Sequence, residues 1–154
     1  PPFVIKDQRI AANICYEDIF GQELARTIQS TTDTSSLASG ATILANFSNL
    51  GWFGNSWALR QHWQMARMRS IETSRPMVRA TNTGTTGAIN QQGQVIAALP
   101  AHRAGVIDVT IQGQQGMTVF ARAGDWTILL CSILVLGSAA VMRSRRPPRS
   151  REDV

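Results

Sequence analysis

Residues 41–81 read Ala41-Thr-Ile-Leu-Ala-Asn-Phe-Ser48, Asn49-Leu-Gly-Trp-Phe-Gly-Asn55, a long run from Ser56 to Ser74, and Met77-Val-Arg-Ala-Thr81. The first segment is mostly apolar, as a buried strand is. The second is punctuated by Gly and Asn, as loops are. Ser56 is a residue type that caps helices, and Arg75-Pro76 is a helix stop, so a helix is expected between them. Met77–Thr81 reads as the next strand. Strands alternating with helices indicate an α/β domain.

The pattern extends outward on both sides. Phe3 to Cys15 reads as two short strands around the polar step Lys6–Arg9. Tyr16 to about Gln29 reads as a helix, with Ile19, Leu24 and Ile28 near one side. Eight of the thirteen residues from Thr27 to Ser39 are Ser or Thr, a loop composition. Beyond Thr81, Asn82–Gly87 reads as a turn region. Ala88–Asn90 and Gln94–Ala98 read as a hairpin with Gly93 in its turn. Gly105-Val-Ile-Asp-Val-Thr-Ile111 is expected to be a further strand.

Trp126 to Met142 is 17 residues without a charge. As a helix it spans roughly 26 Å, near the ~30 Å hydrocarbon core of a bilayer. Trp126 suits an interface at one end, and arginines 143, 145, 146, 149 and 151 crowd the other. A buried core helix is the alternative. The flanking arginines favour a membrane span with its C-terminus in the cytoplasm. The domains expected are therefore 1–123, a membrane helix 124–142 and a basic cytoplasmic tail 143–154. The first would lie in the periplasm of a bacterial inner membrane.

Composition narrows the function. The 154 residues are 44% hydrophobic and 16% charged, which excludes a disordered chain. The net charge of +5 draws heavily on the five tail arginines, set against Glu152 and Asp153. Nucleic acid is therefore not an expected partner. Two cysteines and two histidines fit neither a disulfide framework nor a metal centre, so no metal and no cofactor are expected. The chain opens on Pro1 directly into a strand, and is read as part of a longer protein.

Cys15 stands where an apolar strand meets a helix. Helix N–H groups there favour a thiolate, and the Tyr16 N–H is placed as a donor to a developing oxyanion. A small buried hydrophobe is the alternative reading. A free thiol in an oxidising compartment needs a reason. Cys131 has one inside the bilayer; Cys15 has one only if it works. Glu17 and Asp18 disfavour a thiolate unless a cation offsets them, and nearby only Lys6 and Arg9 are on offer. His62 is either a base or a structural partner. On the helix, Gln61, Met65, Met68 and Glu72 align, which places Met65 and Met68 in the core and gives Glu72 an arginine partner, Arg69 or Arg75. Trp52 and Phe53 either tuck into the core or cover an apolar substrate site.

Asn13-Ile-Cys-Tyr-Glu17, Asn46-Phe-Ser-Asn-Leu-Gly-Trp-Phe-Gly54 and Gln61-His-Trp-Gln-Met-Ala-Arg-Met-Arg-Ser-Ile-Glu-Thr-Ser-Arg-Pro76 together resemble the apolipoprotein N-acyltransferases of bacteria, membrane members of the nitrilase (carbon-nitrogen hydrolase) superfamily. The likeness continues through Arg79-Ala-Thr-Asn-Thr-Gly84 and Phe120-Ala-Arg-Ala-Gly-Asp-Trp126. It implies the C-terminal part of a nitrilase-like αββα sandwich followed by one transmembrane helix. It implies Cys15 as nucleophile of a Glu-Lys-Cys triad, with Tyr16 and Glu17 also required and Trp52 and Phe53 beside the lipid substrate. The family's glutamate and lysine lie well upstream of its cysteine and have no counterpart here. In the resemblance the lysine supplies the cation, the glutamate is the base, and His62 is structural. The implied reaction takes an acyl chain from a phospholipid, through a Cys15 thioester, to a diacylglyceryl apolipoprotein. The full-length protein is expected to act as a monomer. A membrane-anchored amidase and a non-catalytic remnant are the competing readings.

Overall fold

The computed structural model describes residues 2–29 and 40–144. The expectations for the Ser/Thr-rich loop (mostly 30–39) and for the arginine tail (145–154) fall outside the described residues. Among the described residues one sheet holds β1 (Phe3–Ile5), β2 (Gln8–Ile14), β3 (Ile43–Ser48), β4 (Met77–Thr81), β5 (Thr86–Ile89) and β6 (Val95–Leu99), side by side in chain order. The central strands β2, β3 and β4 are parallel, as strands joined by helices must be. The outer pairs are antiparallel. The β5–β6 hairpin turns as expected, with Gly93 at φ +75 and the Asn90 carboxamide accepting from the N–H groups of Gln92 and Gln94.

The crossover helices α1 (Gly21–Ile28) and α2 (Trp57–Thr73) lie side by side on one face of this sheet, with the short α3 (Val119–Ala123) against both. Strand alternation sends Ala11, Leu44, Met77 and Ile89 toward them, where they meet Leu24, Ala25, Ile28, Ala66 and Ala121 in the core. Alanines at the contacts let the helices approach closely. Gly21 marks the tightest point, since a Cβ there would run into the Arg69 guanidinium.

The opposite face is largely open. Phe3, Ile5, Ile14 and Phe47 are each more than half exposed. The extended chain after β6 lies over part of it. Gly105, Val106, Ile107 and Val109, with Phe47, Val78, Ala80 and Ala88, line a cavity of about 280 Å³.

Three expectations need correction. Gly105–Ile111 is not a strand. Its alternation is real, with Ile107, Val109 and Ile111 half-buried, but the segment pairs with no strand among the described residues. The helix expected from Tyr16 is two elements: a 3-10 turn over Cys15–Ile19, a break at Phe20 (φ −86, ψ 83), and then α1. In α2 the buried stripe is Leu59, His62, Ala66, Ser70 and Thr73, while Met68 is 42% exposed. Small and hydrogen-bonded residues face the sheet there, while Met65 is half-buried and Met68 lies on the exposed side of the helix. The helix itself ends as read: Ser74 takes a left-handed conformation (φ 51) before Arg75-Pro76. Ser56 is the cap residue, without a side-chain cap bond.

By its contacts the chain divides into two compact units, one up to Gly124 and one from Asp125 on. The second holds α4 (Trp126–Ser144), whose 19 residues make a helix roughly 28 Å long. Its stretch Trp126–Arg143 is long and apolar enough to cross a membrane, and none of it is buried.

Candidate active site

The parallel strands β2, β3 and β4 point their C-terminal ends the same way, and such ends are where open α/β sheets carry ligand sites. Three segments leave from there: the turn Cys15–Ile19, the loop Asn49–Asn55 and the turn Asn82–Thr85. Cys15 is partly exposed and sits at φ +52, a left-handed conformation that costs a non-glycine residue roughly 1–2 kcal/mol. Such strain persists only where the surroundings over-determine it.

Here they do. The Glu17 carboxylate turns back to accept the Ile14 N–H at 2.6 Å. Below the turn, Asn46 of β3 is fully buried and donates from Nδ2 to the Cys15 carbonyl (3.1 Å) and to Asn13 Oδ1 (2.6 Å). Ser48 donates to Asn46 Oδ1 in turn. At the far end, the Arg69 guanidinium reaches the Ile19 carbonyl at 3.4 Å while pairing with Glu72 at 3.0 Å. Glu72 therefore has the arginine partner expected of it. Arg75 instead donates to the carbonyls of Ala41, Thr73, Ser74 and Gly116.

A second anchor is electrostatic. Asp18 is fully buried, and its Oδ2 accepts from Arg79 Nη1 at 3.3 Å. Arg79, buried on β4, also donates to the His62 carbonyl (2.9 Å) and to His62 Nδ1 (2.5 Å). Burial pushes the Asp18 carboxyl up to about 6, against the pull of Arg79 and Arg69. Burial, and then the Arg79 charge, hold His62 down at about 4. At neutral pH the set is thus a carboxylate, a guanidinium and a neutral imidazole. The 3.4 Å approach of His62 Nδ1 to Asp18 is for that reason no ion pair; the Nδ1 lone pair is already used by Arg79. Removing one partner of a buried charge pair costs about 3–5 kcal/mol, so this contact ties the turn firmly to β4 and α2.

Tyr16 closes the top. Its ring is 41% exposed, tilted against His62 (centroids 5.4 Å apart) and edge-on to Phe53 (5.7 Å). The loop bearing Phe53 is pinned at its base, where Leu50 is fully buried and its N–H donates to Asn82 Oδ1. Trp52, by contrast, is 86% exposed. Of the two placements open from sequence, Trp52 takes the solvent and Phe53 packs on Tyr16. The Cys15 thiol reaches toward the Asn49 carbonyl at 3.9 Å. The structure thus gathers Cys15, Tyr16, Glu17 and Phe53 in one place, with Trp52 at the rim.

Two expectations about the thiol change here. The element after Cys15 is only five residues of 3-10 helix, too short for the dipole argument made from a long helix. Neither Lys6, which lies beyond the opposite end of β2, nor Arg9, whose Nε donates to the Gly40 carbonyl, stands beside the turn. The guanidinium that pairs with Asp18 is Arg79, 61 residues on. Sequence reasoning weighs Asp18 only as a charge against the thiolate, and reads Asn46 and Arg79 only as members of matched motifs, not as partners beneath the turn. The available signal is a polar residue inside an apolar strand, which needs a buried partner.

Comparison with known proteins gives the family. A family model for carbon-nitrogen hydrolases matches residues 1–118. An apolipoprotein N-acyltransferase of Bordetella bronchiseptica is 57% identical over 96% of this chain and 26% of its own length. One of Ralstonia nicotianae is 46% identical over 95% of this chain and 27% of its own. The chain therefore spans about a quarter of the length of these relatives. A carbon-nitrogen hydrolase superfamily protein of Xanthomonas campestris has the same fold over 81% of this chain and 46% of its own, with a TM-score of 0.52 at 14% identity. The chain belongs to the carbon-nitrogen hydrolase family, as a homologue of the bacterial apolipoprotein N-acyltransferases.

Proposed function

We propose that this chain is the nucleophile-bearing part of an enzyme that moves an acyl chain from a phospholipid to the N-terminus of a lipoprotein. The observation that carries the reading is a partly exposed thiol on a braced, left-handed turn, in a homologue of apolipoprotein N-acyltransferases. In the first half-reaction the Cys15 thiolate attacks the ester carbonyl. A C–S bond forms, the ester C–O bond breaks, and the lysophospholipid leaves with a proton. In the second, the α-amino group of a diacylglyceryl-cysteine attacks the thioester. A C–N bond forms, the C–S bond breaks, the amine loses its proton and the thiolate returns.

Tyr16 and Glu17 act in this reading by shaping the turn, Glu17 through its bond to the Ile14 N–H. Trp52 and Phe53 flank the path of the acyl chain. The base and the lysine of the family's triad belong to the portion of the relatives that this chain does not span. The test is the full-length protein incubated with a phospholipid labelled in its acyl chain. A hydroxylamine-sensitive label on Cys15, transferred on addition of a diacylglyceryl peptide, is the expected result. Label appearing only as free carboxylate, with none on protein or peptide, supports an amidase-type hydrolase instead.

We also propose that α4 crosses the inner membrane, with residues 1–123 periplasmic and the arginine tail cytoplasmic. The one-sided arginines and Trp126 at the other end support it. A cysteine placed by Ser150→Cys is expected to resist a membrane-impermeant thiol reagent in intact cells and to react after lysis. Ready labelling before lysis overturns this orientation.

A further inference from the structure

Arg79 is an unusual residue for the middle of β4, a charged side chain that is 3% exposed. In the sheet register it stands beside Asn46, which stands beside Asn13, so the three form one row across the helix-covered face. The row ends under the Cys15 turn: Asn46 holds the Cys15 carbonyl, and Arg79 holds Asp18, three residues past the thiol. His62 fixes the guanidinium from α2 through its carbonyl and Nδ1.

Resting on the acyl-transfer reading above, we propose that Arg79 is the positioning residue of the nucleophile: a buried guanidinium, held by His62, that grips Asp18 and so locks the turn that presents Cys15. Charges facing this point are Glu17 and Asp18 from the turn itself, Arg69 from α2 and Arg79 from β4. Arg69 is engaged by Glu72 and by the Ile19 carbonyl at the far end of the turn.

The test compares the full-length parent with Arg79→Gln, Arg79→Lys and the double variant Asp18→Asn/Arg79→Gln. Three quantities are read: melting temperature, the rate of Cys15 alkylation by iodoacetamide at pH 7, and kcat and KM for acyl transfer from phospholipid. By loosening the turn that presents the thiol, Arg79→Gln is expected to slow alkylation and kcat on the order of tenfold or more, with KM little changed. Arg79→Lys keeps a donor for Asp18 and recovers part of that loss. The double variant removes the stranded carboxylate as well, so it recovers melting temperature but not rate, and it carries the comparison if Arg79→Gln alone does not fold. A double variant that regains parental alkylation and kcat along with its stability overturns the proposal, because Arg79 would then only hold the fold together. The alkylation rates need no lipid. A parent that is alkylated readily but never acylated would sink the acyltransferase reading and leave the Arg79 comparison standing.

Discussion

Cys15→Ala in the full-length protein is expected to abolish the acyl-enzyme, with turnover falling ~10⁴-fold or more, while the fold survives. The structure says why these two effects separate. Alanine keeps the Cβ, so the left-handed backbone at φ +52 carries the same penalty as before. The thiol itself contributes little packing, since its one hydrogen-bonding contact, to the Asn49 carbonyl at 3.9 Å, is long and weak. The braces on the turn come from Asn46, Glu17, Asp18 and Arg69, none of which touches the Sγ through these bonds. Stability should therefore change by less than about 1 kcal/mol, readable as a nearly unmoved melting curve. Cys131→Ala is the matched comparison. Cys131 sits on α4, exposed, where alanine is a good helix former, and activity should stay within about twofold. Equal losses from the two substitutions would mean a folding defect and not the loss of a nucleophile.

The expected survival of the turn without its sulfur bears on what a sequence shows. The strands β1 to β4, the hairpin and the helices α2 and α4 are legible because each is written in a local period: alternation, a long apolar run, a cap residue and a proline stop. Cys15, Tyr16 and Glu17 stand out because a motif names them. What supports them is not legible. Asp18 reads as one more acid in the first turn of a helix, yet it is fully buried because Arg79 waits beneath it. Asn46 reads as the first residue of a matched motif, yet its work is to carry the Cys15 carbonyl. His62 sits in the buried stripe of α2 where the pattern points to methionines, because Arg79 gives its Nδ1 and carbonyl a partner. Each of these depends on contacts between residues 17 to 61 positions apart, and no local period encodes such a contact. The same holds for Gly105–Ile111. Its alternation sorts inside from outside correctly, but a strand also needs a neighbour's edge, and pairing is not a property of the segment alone.

Residues 1–154 expressed alone are expected to give no acyl-enzyme above background and to associate or precipitate. The first half of that expectation is chemical. The chain supplies a thiol and a turn braced by Arg79, whereas in the proposed reading the base lies in the part of the relatives that this chain does not span. General acid–base catalysis is worth roughly 10²–10⁴-fold, so a nucleophile without its base falls by at least that much. The second half is physical. One face of the sheet buries its side chains under α1 and α2; the other leaves Phe3 65%, Ile5 57%, Ile14 66% and Phe47 53% exposed. Phe3 pairs with Ile10 at one end of β2 and Phe47 with Ile14 at the other, with the exposed Ala12 between them on the same face, and apolar faces of this kind on isolated domains seek cover. The check is a truncation ending at Gly124, which removes α4 as a cause of aggregation. It should bind a hydrophobic dye and sediment as more than a monomer, and Phe3→Ser/Phe47→Ser should reduce both signals while Trp52→Ser leaves them largely unchanged. A monomeric, dye-silent truncation would mean that the open face is closed by the chain itself. Acylation of Cys15 in the 154-residue chain near the full-length rate would place the activating base within these residues.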